Sequence, residues 1–266
     1  FLYDTRSMGL IRRFNGHEGE IFELQYSPDG QWLVSGSSYD RSIRLWNVNG
    51  KSRGIEQVEI SAPLQFVDSN RSLICVSEER GFVRVDVGTQ AIRQMAPTPI
   101  PLEAPNQELS SGTRVSLSPD GALAAVILPD HRRWQVWNTL SGEAERVFTN
   151  SPGPVERTLF SADGNRLAIA GNGSPIRLFN TADWSSEPIG ESIPDKVNGL
   201  AFSLDGSRLA QADWAGTTVI DLASRKAIFR RDPGNVMSLA LSRDGKLLAA
   251  GRPDDCIYLW DVDTGQ

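Results

Sequence analysis

The chain has 266 residues, 39% hydrophobic and 23% charged, a composition that can bury a full core and does not read as disordered. Its formal charge of -6 and pI near 5.1 exclude the basic footprint with which a protein displaces counterions from nucleic-acid phosphates. The longest apolar run, Leu123 to Leu128, is far too short to span a membrane, and Phe1 to Arg6 offers no signal-peptide stretch.

In chain order, the first elements are a short segment closing at Tyr3-Asp4 and an outer strand over Leu10 to Phe14, so residues 1–14 read as the end of a preceding repeat. Residues 15–266 are the repeats proper. The first opens at Gly16-His17 and alternates over Ile21 to Tyr26 and Trp32 to Ser35, with the turn Ser27-Pro28-Asp29-Gly30 between them; its third strand is Ile43 to Trp46. The turn recurs at Ser118 to Gly121, Ser161 to Gly164, Ser203 to Gly206 and Ser242 to Gly245, and in worn form at Asn70, a residue that tolerates positive φ. Anchors at Gly30, Asn70, Gly121, Gly164, Gly206 and Gly245 are 40, 51, 43, 42 and 39 residues apart. A second set keeps the same phase: Tyr3-Asp4, Trp46-Asn47, Val85-Asp86, Trp137-Asn138, Phe179-Asn180, Ile220-Asp221 and Trp260-Asp261. The expanded interval holds a proline-rich insertion at about 96–113, which reads as a surface loop because each proline removes a ladder donor. No helical periodicity appears, so the fold class is all-β, with six repeat periods present and seven blades or a longer array if the chain is a fragment.

Gly16-His17, Ser27 to Gly30 and Ile43 to Asn47 together resemble the WD-repeat family. The resemblance covers essentially the whole chain and implies a β-propeller of four-stranded antiparallel blades around a channel. It also implies a hydrogen-bonded set inside the first blade made by His17, Ser35, Asp40 and Trp46, with Ser37 as an alternative hydroxyl. Other blades keep fragments, Asp130 with Trp137 and Asp254 with Trp260, so Trp137 and Trp260 are assigned with that set as structural residues. Degenerate arrays of this kind resemble the sensor propellers of bacterial multidomain signalling proteins.

The supply of chemistry is poor. There are two histidines: His17 belongs to the Gly-His pattern, and His131 reads as a solvated turn residue. No phosphate loop, nucleophile elbow or zinc helix is present, and acidic pairs such as Asp254-Asp255 read as turn formers, so no catalytic residue, metal or cofactor is expected. Cys75 and Cys256 fit no metal spacing or disulfide framework and read as free thiols, favouring a reducing, cytoplasmic location. Trp32 and Trp134 fall within strands, whereas Trp184 and Trp214 sit in turns. The resemblance places the connections between second and third strands on one face, and they carry Tyr39, Arg41, Arg80, Arg132, Trp214 and Arg252, side chains that dominate interface energetics.

The expectation is a non-enzymatic platform or sensor binding a protein partner, or another domain of the same polypeptide, on that face. Membrane and nucleic acid are not expected partners. The alternative is an enzyme or small-ligand propeller whose site is assembled from scattered loops.

Overall fold

The computed structural model describes residues 1–4, 6–7, 9–37, 40, 42–50, 53–55, 61–77, 81–95, 115–149, 151–231, 234–254 and 256–266, with 22, 53–55 and 61–63 given as backbone. These residues are all strand and connection. They fall into two compact units, residues 1–100 and 101–266, divided within the proline-rich stretch, which itself lies outside the described residues.

The first unit begins with a hairpin of β1 (Leu2–Tyr3) and β2 (Leu10–Arg12). Two four-stranded antiparallel sheets follow, each in chain order: β3 (Ile21–Tyr26), β4 (Trp32–Ser37), β5 (Ser42–Asn47) and β6 (Arg53–Ile55), then β7 (Ser61–Val67), β8 (Ser72–Ser77), β9 (Gly81–Asp86) and β10 (Ile92–Gln94). Val34, Ile43 and Leu45 of the first sheet pack on Leu64, Phe66, Leu73 and Cys75 of the second. Removing such a side chain from water is worth about 1.5–3 kcal/mol, so sheet-on-sheet stacking supplies the core.

The second unit holds sheets three to six. The third is β11 (Val115–Leu117), β12 (Leu123–Ile127), β13 (Trp134–Asn138) and β14 (Glu143–Phe148); the fourth is β15 (Arg157–Phe160), β16 (Arg166–Ala170), β17 (Ile176–Asn180) and β18 (Ser186–Ile189). The fifth is β19 (Gly199–Phe202), β20 (Arg208–Ala212), β21 (Thr217–Asp221) and β22 (Lys226–Arg231). The sixth has three strands, β23 (Ser238–Leu241), β24 (Leu247–Gly251) and β25 (Ile257–Asp261). Apolar clusters join consecutive sheets: Trp134 and Val136 to Phe160 and Phe179, Ile176 and Ile189 to Leu209 and Ile220, and Val219 and Phe229 to Leu248.

Both repeating anchors have a physical cause in the turns. In every intact Ser-x-Asp-Gly copy the serine hydroxyl donates to the aspartate, at 2.6 Å in Ser27–Asp29, 2.5 Å in Ser118–Asp120, 2.5 Å in Ser161–Asp163, 2.6 Å in Ser203–Asp205 and 2.7 Å in Ser242–Asp244. The same hydroxyl accepts the N–H five residues on, from Trp32, Leu123, Arg166, Arg208 and Leu247. Four atoms therefore fix where the second strand starts. The worn copy solves the turn differently, with Asp68, Ser69 and Asn70 all at positive φ.

The second anchor's acid serves the other turn at the same end of the sheet. Asp4, Asp86, Asp221 and Asp261 each take both the N–H and the hydroxyl of a Ser or Thr three residues on, and so close the hairpin between third and fourth strands. Asp4 N also donates to Gly9 O at 2.9 Å, as Asp86 N does to Ala91 O. The β1–β2 hairpin thus has the construction of a third-and-fourth strand pair, as expected from its phase. In the sixth sheet β25 has no fourth strand beside it among the described residues, and its Ile257 and Leu259 are exposed where Ile43 and Leu45 of the first sheet are buried.

Candidate functional site

The first sheet holds the only set of His, Ser, Asp and Trp assembled among the described residues. His17 Nε2 lies 2.7 Å from Ser35 Oγ, Trp46 donates its indole N–H to the same oxygen at 2.8 Å, and His17 Nδ1 lies 2.8 Å from Asp40 Oδ2. Ser35 therefore fills the hydroxyl role, and the buried Ser37 Oγ has no partner among the described residues. Asp40 is further bound by Ser42 Oγ at 2.7 Å and Glu18 N at 3.0 Å. Burial pushes its carboxyl up, but the hydrogen bonds of Ser42, Glu18 N and His17, with the histidine's charge, outweigh this and hold it well below the ordinary carboxylate range. The set ties the segment entering β3 to β4, β5 and their connection. Its groups are spent on one another, which suits structural service.

In the sheets that keep only fragments of this set, the acids and tryptophans have other partners. Asp130 takes the N–H groups of Arg132 and Arg133 and the Arg133 guanidinium, while Trp137 donates to Gln135 Oε1 at 2.9 Å. Asp254 accepts from the Tyr258 hydroxyl at 3.1 Å, and Trp260 stacks on the Tyr258 ring at 5.7 Å. A short exposed acid at a tight turn finds the turn's own N–H groups nearer than an indole on the strand.

Among the connections between second and third strands, Tyr39, Arg41 and Arg80 lie outside the described residues. Arg132 is exposed. Trp214 is 55% exposed, on a turn held by Asp213, whose Oδ1 accepts the N–H groups of Ala215 and Gly216 at 2.8 Å each. Arg252 is half-buried, with Nη1 3.4 Å from Asp254 and its guanidinium 5.0 Å above the Tyr258 ring. His131 is likewise not a solvated residue. It sits at φ 55°, and its Nδ1 lies 3.0 Å from Val155 O, so it joins the third sheet's connection to the segment entering the fourth. Trp184 is a packing residue, its ring 6.0 Å from Phe148, which stacks on Trp134 at 3.8 Å.

A cleft of about 360 Å³ opens at the same end of the fifth sheet, lined by Glu191, Gln211, Asp213, Thr217 and Arg230 among others. Sequence reasoning missed it. The signal was positional: pairing aligns Leu209 with Ile220 as it aligns Leu33 with Trp46, so Gln211 stands at the phase of Ser35 and Ile220 at that of Trp46. At the Ser35 phase the other sheets carry Cys75, Val126, Ile169 and Ala250. A long amide beside a shortened apolar residue leaves room that the first sheet fills with indole. Among the described residues no group of three or more His, Cys, Asp or Glu side chains is placed to hold a metal ion, and no helix is long and apolar enough to cross a membrane.

Residues 8–47 and 225–261 match the family model described as WD domain, G-beta repeat. Over 45 residues the chain is 42% identical to WD repeat-containing protein 36 of Homo sapiens, covering 17% of this chain and 5% of that protein. It is 26% identical over 183 residues to Periodic tryptophan protein 2 of Arabidopsis thaliana, covering 67% of this chain and 19% of that one. It is 27% identical over 181 residues to the Ribosome biogenesis protein bop1-B of Xenopus laevis, covering 55% and 25%. The matches thus span a quarter or less of these relatives, and all three are eukaryotic, which lends no support to a bacterial signalling context. The crystal structure of the Myceliophteria thermophila Cps50 (Swd1) beta-propeller domain superposes with a TM-score of 0.73 at 17% identity, over 97% of this chain and 89% of that one.

Proposed function

We propose, from the match of residues 8–47 and 225–261 to the WD-repeat model and from the β-propeller fold, that this chain is a non-enzymatic platform for protein partners, which dock where second and third strands connect. The observation that carries the reading is Trp214, a large aromatic left 55% exposed on a turn that Asp213 holds rigid. A fixed aromatic with little conformational entropy to lose is the commonest kind of interface anchor. Arg132 is exposed on the corresponding connection of the third sheet and is the second docking residue of the proposal. One relative, named a ribosome biogenesis protein, is compatible with the reading.

Both histidines support the non-enzymatic part, because each is committed to the fold: His17 to Ser35 and Asp40, His131 to the Val155 carbonyl. The partner is a separate protein or another domain of the same polypeptide. A cytoplasmic location completes the proposal, since Cys75 and Cys256 are both free thiols; Cys75 is buried, which pushes its pKa up to about 12 and keeps it unreactive.

The test is cross-linked capture of bound proteins by the full chain, its Arg132→Ala/Trp214→Ala variant, and an Asn165→Ala/Lys246→Ala control on turns at the opposite end of the sheets. The first pair is expected to weaken capture by more than about 2 kcal/mol in affinity, the hot-spot range, and the control to leave it unchanged. Loss in the control alone, or in neither, overturns the reading.

A further inference from the structure

The cleft of the fifth sheet contains hydrogen-bonding capacity that the fold leaves unspent. Gln211 is 8%, Asp213 6% and Thr217 2% exposed, and all three line it. Thr217 Oγ1 is buried without a partner. Among the described residues no hydrogen bond holds Asp213 Oδ2 or the Gln211 amide either, and these atoms keep access to solvent in the cleft. Asp213 Oδ1, by contrast, is saturated by Ala215 and Gly216. Leaving a buried hydroxyl unmet is costly, and a fold that retains one in the lining of a cleft shared with a carboxylate has a use for it.

The charges around the cleft decide what fits. Arg230 is held by Glu191 at 2.7 Å, and the two cancel at the mouth. Arg231 donates to the Gly265 carbonyl and lies 5.6 Å from the Phe229 ring. Both cations are engaged, so the unspent groups are one carboxylate oxygen, which only accepts, and an amide and a hydroxyl, each of which can accept as well as donate. The whole chain carries -6, which favours approach of a positive partner. Trp214, next to Asp213, presents an exposed indole on which an aliphatic stem or a guanidinium plane can lie.

We infer that the cleft between the fifth sheet and residues 191–194 receives a basic side chain of a peptide partner, which donates to Asp213 Oδ2, Gln211 Oε1 and Thr217 Oγ1. This rests on the platform reading and gives it a chemistry.

The probe is the capped tripeptide acetyl-Gly-Arg-Gly-amide, titrated into isotopically labelled full chain while the amide resonances of Ala215 and Gly216 are followed. Acetyl-Gly-norleucine-Gly-amide and acetyl-Gly-Glu-Gly-amide serve as uncharged and acidic controls. Saturable shifts are expected with arginine and not with the controls. Asp213→Asn should weaken binding about tenfold, the usual effect of removing one charge-assisted hydrogen bond. Because that change could also loosen the turn, the isosteric Thr217→Val is the second variant. It should bind about threefold more weakly while melting at the same temperature or higher, since it deletes an orphan hydroxyl. Absence of saturable shifts, which means that water alone fills the cleft, overturns the inference, as does unchanged affinity in Thr217→Val. If the arginine peptide binds but the Arg132/Trp214 pair leaves capture intact, the platform reading fails and the cleft stands as a small-ligand site. If capture depends on that pair but no peptide shift occurs, only the cleft assignment fails.

Discussion

Trp46 gives its indole N–H to the Ser35 hydroxyl at 2.8 Å while its ring lies 5.4 Å from Phe14, so one side chain fastens the blade interior to the segment that enters it. Trp46→Ala removes a large buried aromatic and is expected to destabilise the first unit by about 3–5 kcal/mol. Ser35→Ala strands both an indole N–H and an imidazole nitrogen and should cost about 1–3 kcal/mol. Trp214→Ala should cost far less. Denaturant unfolding of the three variants checks the order, and equal losses in Trp46→Ala and Trp214→Ala would show that core and surface are misassigned.

Acid stability should report the serine–aspartate turns. The Ser203 hydroxyl, with Ser207 N–H and hydroxyl, holds Asp205 down to about 2, and Ser161 and Ser242 lower Asp163 and Asp244 in the same way. A depressed carboxylate contributes stability that is complete above its unfolded pKa and is lost as pH falls through its folded one. Stability should therefore decline between about pH 4 and pH 2. Asp205→Asn is expected to flatten that decline, read as melting temperature against pH; an unchanged slope would show the turn does not titrate with folding.

Glu23, half-buried on β3, carries the opposite sign, because burial raises its pKa to about 7. Its folded state favours the protonated form, so its contribution is intact below about pH 4.5 and is lost as pH rises to about 7. Glu23→Gln should be more stable than the parent at pH 7.5 and equal to it at pH 4. Equal melting curves at both values would place Glu23 in contact with solvent.

A backbone approach sets a further expectation. A Cβ added at Gly171, just after β16, would lie 2.8 Å from the Pro154 carbonyl carbon and closer still to its oxygen. Neither atom is a flexible tip, so Gly171→Ala must displace the segment entering β15. Loss of several degrees in melting temperature is expected, against little change for Gly173→Ala's neighbour Asn172→Ala on the same turn.

The repeat was legible because its anchors are turns, and turns are dictated locally: Ser203, Asp205 and Gly206 meet within four residues, and Asp221 finds Ser224 three residues on. The first blade's His17, Ser35, Asp40 and Trp46 were legible through the resemblance. What could not be read depended on register across strands. Gln211 acquires its meaning only when pairing aligns Leu209 with Ile220 and brings Glu191 across from Arg230. Trp184 looked like a surface residue because its turn is polar, yet a backbone φ of 61° turns it back towards Phe148. The contact of Arg252 with Tyr258 could not be read because the ring lies six residues away, on the far side of a turn.

The serine–aspartate turns also bear on how the chain folds in time. Each completes its network within five residues, as Trp32 N does on Ser27 Oγ at 2.8 Å, and loops of that order close in about 10–100 ns. The register of first and second strands is then settled before any sheet meets its neighbour, and five such hairpins offer five independent starting points. Assembly becomes a docking of ready-made hairpins, with the long-range search left to the apolar faces. Damage to one turn is accordingly expected to raise opening of its own sheet while the remaining hairpins form at their usual rate.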